Sequence, residues 1–65
     1  MELLVNGKSF TTEKNNIFGL TEELELAIEG LVVLHNDNII KKDQYQNLIL
    51  KENDRVELLN FVSGG

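Results

Sequence analysis

Apolar residues along this 65-residue chain fall into short runs broken by turn formers. Leu3, Leu4 and Val5 open a strand, and Asn6-Gly7 interrupts it at once. Asn-Gly is the strongest short hairpin signal, because a type I′ turn needs positive φ at both central positions and these residues tolerate it best. Lys8 to Thr12 therefore returns as a second strand, with Phe10 as its apolar anchor. Glu13 to Gly19 is polar and turn-rich and leads into a helix, where Leu20, Leu24, Ala27, Ile28 and Leu31 recur at helical spacing. Glu22, Glu25 and Glu29 lie off that stripe. The pattern predicts Thr21 as the N-cap, Glu22 and Glu23 in a first turn where the helix dipole favours negative charge, and Gly30 as the C-cap.

The valine-rich run Leu31 to His35 predicts a third strand, Asn36-Asp37-Asn38 a turn, and Ile39-Ile40 a short return strand ending at Lys41-Lys42. Asp43 to Asn47 reads as an irregular or single-turn segment with the Tyr45 ring on the edge of the core. Leu48 to Leu50 reads as another short extended piece, and Lys51 to Asp54 as the last turn. In the terminal strand Val56, Leu58 and Asn60 alternate with Glu57, Leu59 and Phe61. Strands with one covering helix imply an α+β fold, a mixed sheet of four to five strands. If the last strand lies beside the first, the two run parallel with the helix in the crossover, which is the β-grasp arrangement. Residues 1–62 read as one such domain and 63–65 as a flexible C-terminal tail.

Composition narrows the function. A domain this small has no room for an elaborate catalytic pocket, so an independent enzyme is not expected. Six basic and eleven acidic side chains give a net charge of −5, the opposite of the basic face that nucleic acid requires. No apolar run approaches the length of a membrane span, and the start, Met1-Glu2-Leu3-Leu4, lacks the basic residues of a signal peptide. With no cysteine there is neither a disulfide nor a cysteine-built zinc site, which favours a reducing cytoplasm over secretion. His35 is the only histidine, too little for a metal set or a nucleophilic triad, and a structural or exposed role is expected for it. Asp37, Asp43 and Asp54 fall in turns, where short acidic side chains bond nearby amides.

What remains is the end of the sequence, Phe61-Val62-Ser63-Gly64-Gly65. A glycine pair buries no side chain and loses the most backbone entropy on ordering, so it adds little to a fold. Glycine pairs also occur by chance at frayed ends. Residues without a Cβ do, however, allow close passage through a narrow opening. The carboxylate of Gly65, ionised at neutral pH, is able to attack a nucleotide phosphate and become an activated acyl group. On that reading Gly65 is the modified residue, and Ser63 and Gly64 thread into a partner's active site. Leu59 and Phe61 fall on the solvent face of the terminal strand and form a candidate docking patch. The alternative for that pair is a bulge that turns one or both into the core.

From end to end the chain resembles the ThiS family of small sulfur carriers in the ubiquitin-like β-grasp superfamily. The resemblance rests on the first strand with Asn6-Gly7, the helix with Leu24 and Ile28, Val32 to Ile40 with its Asn36 turn, and Asp54-Arg55-Val56-Glu57 leading to Gly64-Gly65. Two turns depart from the family pattern: Lys41 stands near a frequent proline and Asn53 where glycine is common. The resemblance implies that a ThiF-like adenylating enzyme uses ATP and Mg²⁺ to adenylate Gly65. A sulfur donor protein then converts it to a thiocarboxylate, and a ThiG-like thiazole synthase takes the sulfur for the thiazole of thiamine. No cofactor stays bound to the carrier itself. Other readings of the same fold are the small subunit of molybdopterin synthase and a protein modifier joined to lysine, and beyond them a plain interaction domain.

Overall fold

The computed structural model describes residues 1–60. Two hairpins frame it, β1 (Glu2–Val5) with β2 (Lys8–Thr11) and β3 (Leu31–His35) with β4 (Asn38–Ile40). Each turns on two positive-φ residues: Asn6 at 51° with Gly7 at 81°, and Asn36 at 49° with Asp37 at 73°. Asparagine, aspartate and glycine tolerate this left-handed region better than other residues, so both hairpins are written in their turn residues. The final strand β5 (Arg55–Asn60) enters between them, giving one sheet in the order β2-β1-β5-β3-β4. It runs parallel to β1, as the crossover argument requires, and antiparallel to β3. The α+β reading with five strands and one helix holds.

The helix is where the sequence pattern misleads. Helix α1 spans Ile17–Glu23, and its N-cap is Asn16, whose side chain accepts a hydrogen bond from the Gly19 amide at 2.7 Å. Thr21 is buried inside the helix and donates to the Phe18 carbonyl at 2.7 Å. Glu22 and Glu23 therefore lie in the last turn, not the first. Glu25 takes a φ of 58° just after the helix. Its amide donates to the Glu22 carbonyl at 3.1 Å and the Leu26 amide donates to Thr21 at 2.9 Å. That pair of bonds is the Schellman closure, with glutamate in the position usually held by glycine. Gly30, expected as the C-cap, instead has a φ of 74° immediately before β3. Ala27 is exposed outside the helix, while Leu24, Leu26 and Ile28 pack on the core from the connecting loop.

Leu48 to Leu50 forms no strand; Leu50 is buried and its amide donates to the Asn15 carbonyl at 2.7 Å, tying the late loop to the start of α1. Ahead of it a 3-10 turn at Lys42–Gln44 presents Tyr45 to the core. Lys41 uses its amide to bond the Gln44 side chain at 3.1 Å, a bond proline has no N–H to make. Asn53 has a φ of 69°, which explains physically why glycine suits that position. The core collects Leu3, Ile17, Leu20, Val33, Ile40, Tyr45, Val56 and Leu58 between the sheet and this cover. The boundary read between 62 and 63 lies outside the described residues.

Candidate functional site

The site begins with how β5 is held. Asn36 brackets its first residue: the Asn36 amide donates to the Arg55 carbonyl at 2.8 Å, and the Arg55 amide donates to Asn36 Oδ1 at 2.9 Å. Further along, the Asn6 amide donates to the Val56 carbonyl at 2.9 Å. Asn6 Oδ1 then accepts from the Leu58 amide at 2.8 Å, and its Nδ2 donates to the Leu58 carbonyl at 3.3 Å. One side chain thus prolongs the parallel ladder after β1 has turned away. Asn6 and Asn36 each form a turn and clamp the central strand, a double role no short motif signals.

A polar cluster fixes the entry to β5. Asp54 Oδ2 lies 2.7 Å from His35 Nε2 and accepts from the Lys51 amide at 2.9 Å; Oδ1 accepts from Asn36 Nδ2 at 3.3 Å. Burial pushes the Asp54 carboxyl up, but the bonds from His35, the Lys51 amide and Asn36, with the His35 charge, outweigh it and hold the group below the ordinary carboxylate range. His35 and Asp54 therefore have the structural role expected of them. Asp37 pairs with Arg55 at 2.7 Å in the open, where an ion pair contributes little. Among the described residues no group of three or more His, Cys, Asp or Glu could hold a metal ion. No helix of the described residues is long and apolar enough to cross a membrane.

From this clamped base β5 runs through the middle of the sheet to Asn60, which pairs with Leu31. Val56 and Leu58 face the core, and Leu59 is 41% exposed on the opposite face. No bulge turns Leu59 into the core; it stays on the solvent face of the strand. Phe61, Ser63, Gly64 and Gly65 lie outside the described residues. The structure adds neighbours that the sequence reading missed. Leu59 stands opposite Val32, and Leu34 stands opposite both Glu57 and Ile39, so all of them share the face that α1 leaves uncovered. Ile39 is 71% exposed. The one local signal for Val32 and Leu34 is their alternation with the core-facing Leu31 and Val33, and an unbroken apolar run hides that two-sidedness.

A mixed five-stranded sheet gripping one helix, with its central strand leading to the last residues, defines a small ubiquitin-like β-grasp domain. The family model described as the ThiS family matches residues 3–65. The chain belongs to the ThiS family. Its fold is similar to the crystal structure of a thiamine biosynthesis protein (ThiS) from Geobacter metallireducens, with a TM-score of 0.84, 32% identity and full coverage of both chains. A solution structure of a thiamine biosynthesis protein from the same organism gives a TM-score of 0.81 at 32% identity, covering 100% of this chain and 88% of that one. A thiazole synthase of Magnetococcus marinus is 29% identical over 66 residues; the match takes in 100% of this chain but 20% of that protein. The chain thus spans about a fifth of that relative's length. An uncharacterized protein ycf40 of Trieres chinensis is 27% identical over 62 residues, 94% of this chain and 85% of that protein.

Proposed function

We propose that this chain is the sulfur carrier for the thiazole of thiamine, a protein cosubstrate worked on by other enzymes in the cytoplasm. The observation that carries the reading is the family match extending through residue 65, so that it includes the Gly64-Gly65 pair. A carboxylate oxygen of Gly65 attacks the α-phosphorus of ATP on a ThiF-like adenylating enzyme that supplies Mg²⁺, and pyrophosphate leaves. A persulfide sulfur carried by a donor protein then attacks the acyl carbon and displaces AMP, and a second thiol reduces the resulting acyl disulfide, forming a disulfide with the donor's cysteine and leaving the thiocarboxylate. A ThiG-like thiazole synthase accepts that sulfur; the relative named thiazole synthase, part of which resembles this whole chain, supports such a pairing. The chain's own contribution is mechanical: the asparagine clamps fix β5, Ser63 and Gly64 are slim enough to thread, and the open face around Leu59, continued by Phe61, docks the partner.

Intact mass spectrometry of the protein from its native host tests this. Replacement of one oxygen by sulfur at Gly65 is the expected result. Lysine conjugates would make the chain a modifier, an unmodified end an inert domain, and copurification with a molybdopterin synthase large subunit a carrier to the pterin. Gly65→Ala, or one residue added after Gly65, is expected to abolish activation by the adenylating enzyme with the melting temperature unchanged; normal activation of either variant overturns the reading.

A further inference from the structure

Asn6 is the only asparagine in this chain that is followed by glycine. The pair stands exposed at the tip of the first hairpin, and open space surrounds Gly7. Such a pair is a chemically weak link, because no side chain on the second residue shields its backbone nitrogen from the asparagine amide. The fold sets one obstacle in the way. Asn6 Oδ1 accepts from the Leu58 amide at 2.8 Å and its Nδ2 donates to the Leu58 carbonyl at 3.3 Å, so both ends of the side-chain amide are engaged on β5. The second hairpin provides an internal control. Asn36, at a φ of 49°, also binds β5, its Oδ1 accepting from the Arg55 amide at 2.9 Å, but the residue after it is Asp37, which carries a side chain.

We propose that Asn6 is a site of spontaneous deamidation guarded by its clamp on β5, so that a chain whose last strand comes loose is altered and does not regain the clamp. In the reaction the Gly7 nitrogen bonds to Asn6 Cγ, the Cγ–Nδ2 bond breaks, and the side-chain nitrogen leaves as ammonia with the Gly7 proton. Water then opens the cyclic imide at either carbonyl. One opening gives aspartate; the other gives isoaspartate, which adds a main-chain carbon to the tight turn between Val5 and Lys8. While the clamp is closed the Asn6 side chain reaches Gly7 only by giving up both bonds to Leu58, so the rate falls with the fraction of time the clamp is open. Afterwards the clamp cannot form as before. The donor to the Leu58 carbonyl has become an oxygen, and at neutral pH a carboxylate, which only accepts, faces that carbonyl. Isoaspartate disturbs the turn as well, since type I′ geometry fixes both central residues. The guard belongs to the free protein and stands whether or not Gly65 carries sulfur.

Peptide mass mapping of the full chain, aged at mildly alkaline pH in buffer and in parallel in concentrated urea, tests it. Conversion of the Asn6 amide to a carboxyl is expected in both, slower in the folded protein by about tenfold or more, as two hydrogen bonds of ordinary strength require. Asn36 is expected to stay intact. The deamidated fraction gains negative charge and separates by anion exchange. Its Leu58 amide is expected to exchange hydrogen faster than in the unaged chain, and the same is expected of Asn6→Asp. Equal rates in buffer and urea would remove the guard, and earlier reaction at Asn36 would remove the site. Unchanged Leu58 exchange in the aged fraction and in Asn6→Asp would remove the consequence for β5, and any one of these results overturns the proposal.

Discussion

The two faces of β5 carry similar residues to opposite ends. Val56 and Leu58 are 0% and 7% exposed beneath α1 and the loops around Tyr45 and Leu50, while Leu59, one position on, is 41% exposed beside Val32. Ile39 and Leu4 on that second face are 71% and 40% exposed. The covered face is what folding requires, because removing apolar surface from water is the dominant favourable term for a chain with no disulfide. The open face gains little of that, and a polar residue would serve folding there almost as well. Its exposed leucines and isoleucine are what the proposed docking of a partner rests on.

The most severe way to break the contrast is to truncate matching residues on the two faces. Leu58→Ala is expected to lower unfolding free energy by about 2–5 kcal/mol, the range for leucine deletions in a packed core. Leu59→Ala is expected to cost less than about 1 kcal/mol. Urea titration of both variants decides; equal losses would show that the open face is as structural as the core.

Both faces depend on β5 staying in register, and Asp54 holds its entry. Asp54→Asn removes a charged acceptor from the bonds with His35, Asn36 and the Lys51 amide, an expected loss of about 1–2 kcal/mol at neutral pH. Because the folded carboxyl ionises below its ordinary range, its stabilisation is fully present above the unfolded-state pKa. It fades as the pH falls through the folded value. The gap between wild type and Asp54→Asn should therefore close on acidification below the ordinary carboxylate range. A constant gap from neutral to acid pH would remove Asp54 from the account.

The cover over the inner face is open to improvement, which sharpens the contrast from the other side. Glu25 sits at a φ of 58° in the helix closure, a conformation that costs an L residue about 1–2 kcal/mol and glycine much less. Allowing for glycine's greater unfolded-state entropy, Glu25→Gly is expected to raise stability by about 0.5–1 kcal/mol. Thermal unfolding checks it, and a fall in melting temperature would mean that the glutamate side chain makes a contact worth more than the strain.

The same residue shows where reading the sequence stopped. The hairpins and the facing of Val56, Leu58 and Leu59 were legible because Asn-Gly, Asn-Asp and two-residue alternation are local signals, whereas the sheet order came only as the condition that the last strand lie beside the first. The helix was not legible, because its limits are set against local preference. Asn16 caps it five residues before Thr21, within a polar stretch that hides Ile17 and Phe18, and Glu25 ends it where no residue type announces a stop. Leu24 and Ile28 keep helical spacing by coincidence, since both reach the core by different backbone paths. The clamps by Asn6 and Asn36 are tertiary and invisible to any window. Of the candidate site, Leu59 was found from strand parity, whereas Val32, Leu34 and Ile39 joined it only once the register of β3 was known.

The smallest expected effect on stability belongs to the substitution that says most about function. Leu59→Lys places a charge on the open face, opposite Val32 and away from every core side chain, so its stability should stay within about 0.5 kcal/mol of wild type. A docked partner, in contrast, would have to bury that ammonium among Val32, Leu34 and Ile39, and a loss of about tenfold or more in affinity corresponds to only about 1.4 kcal/mol of unfavourable desolvation. Calorimetric titration against a purified adenylating enzyme or thiazole synthase, run beside a melting curve, separates the two quantities. Weakened binding with unchanged melting assigns the face to recognition. Lowered melting with binding preserved would assign Leu59 to the fold, and the asymmetry between the two sides of β5 would then reflect only incomplete cover.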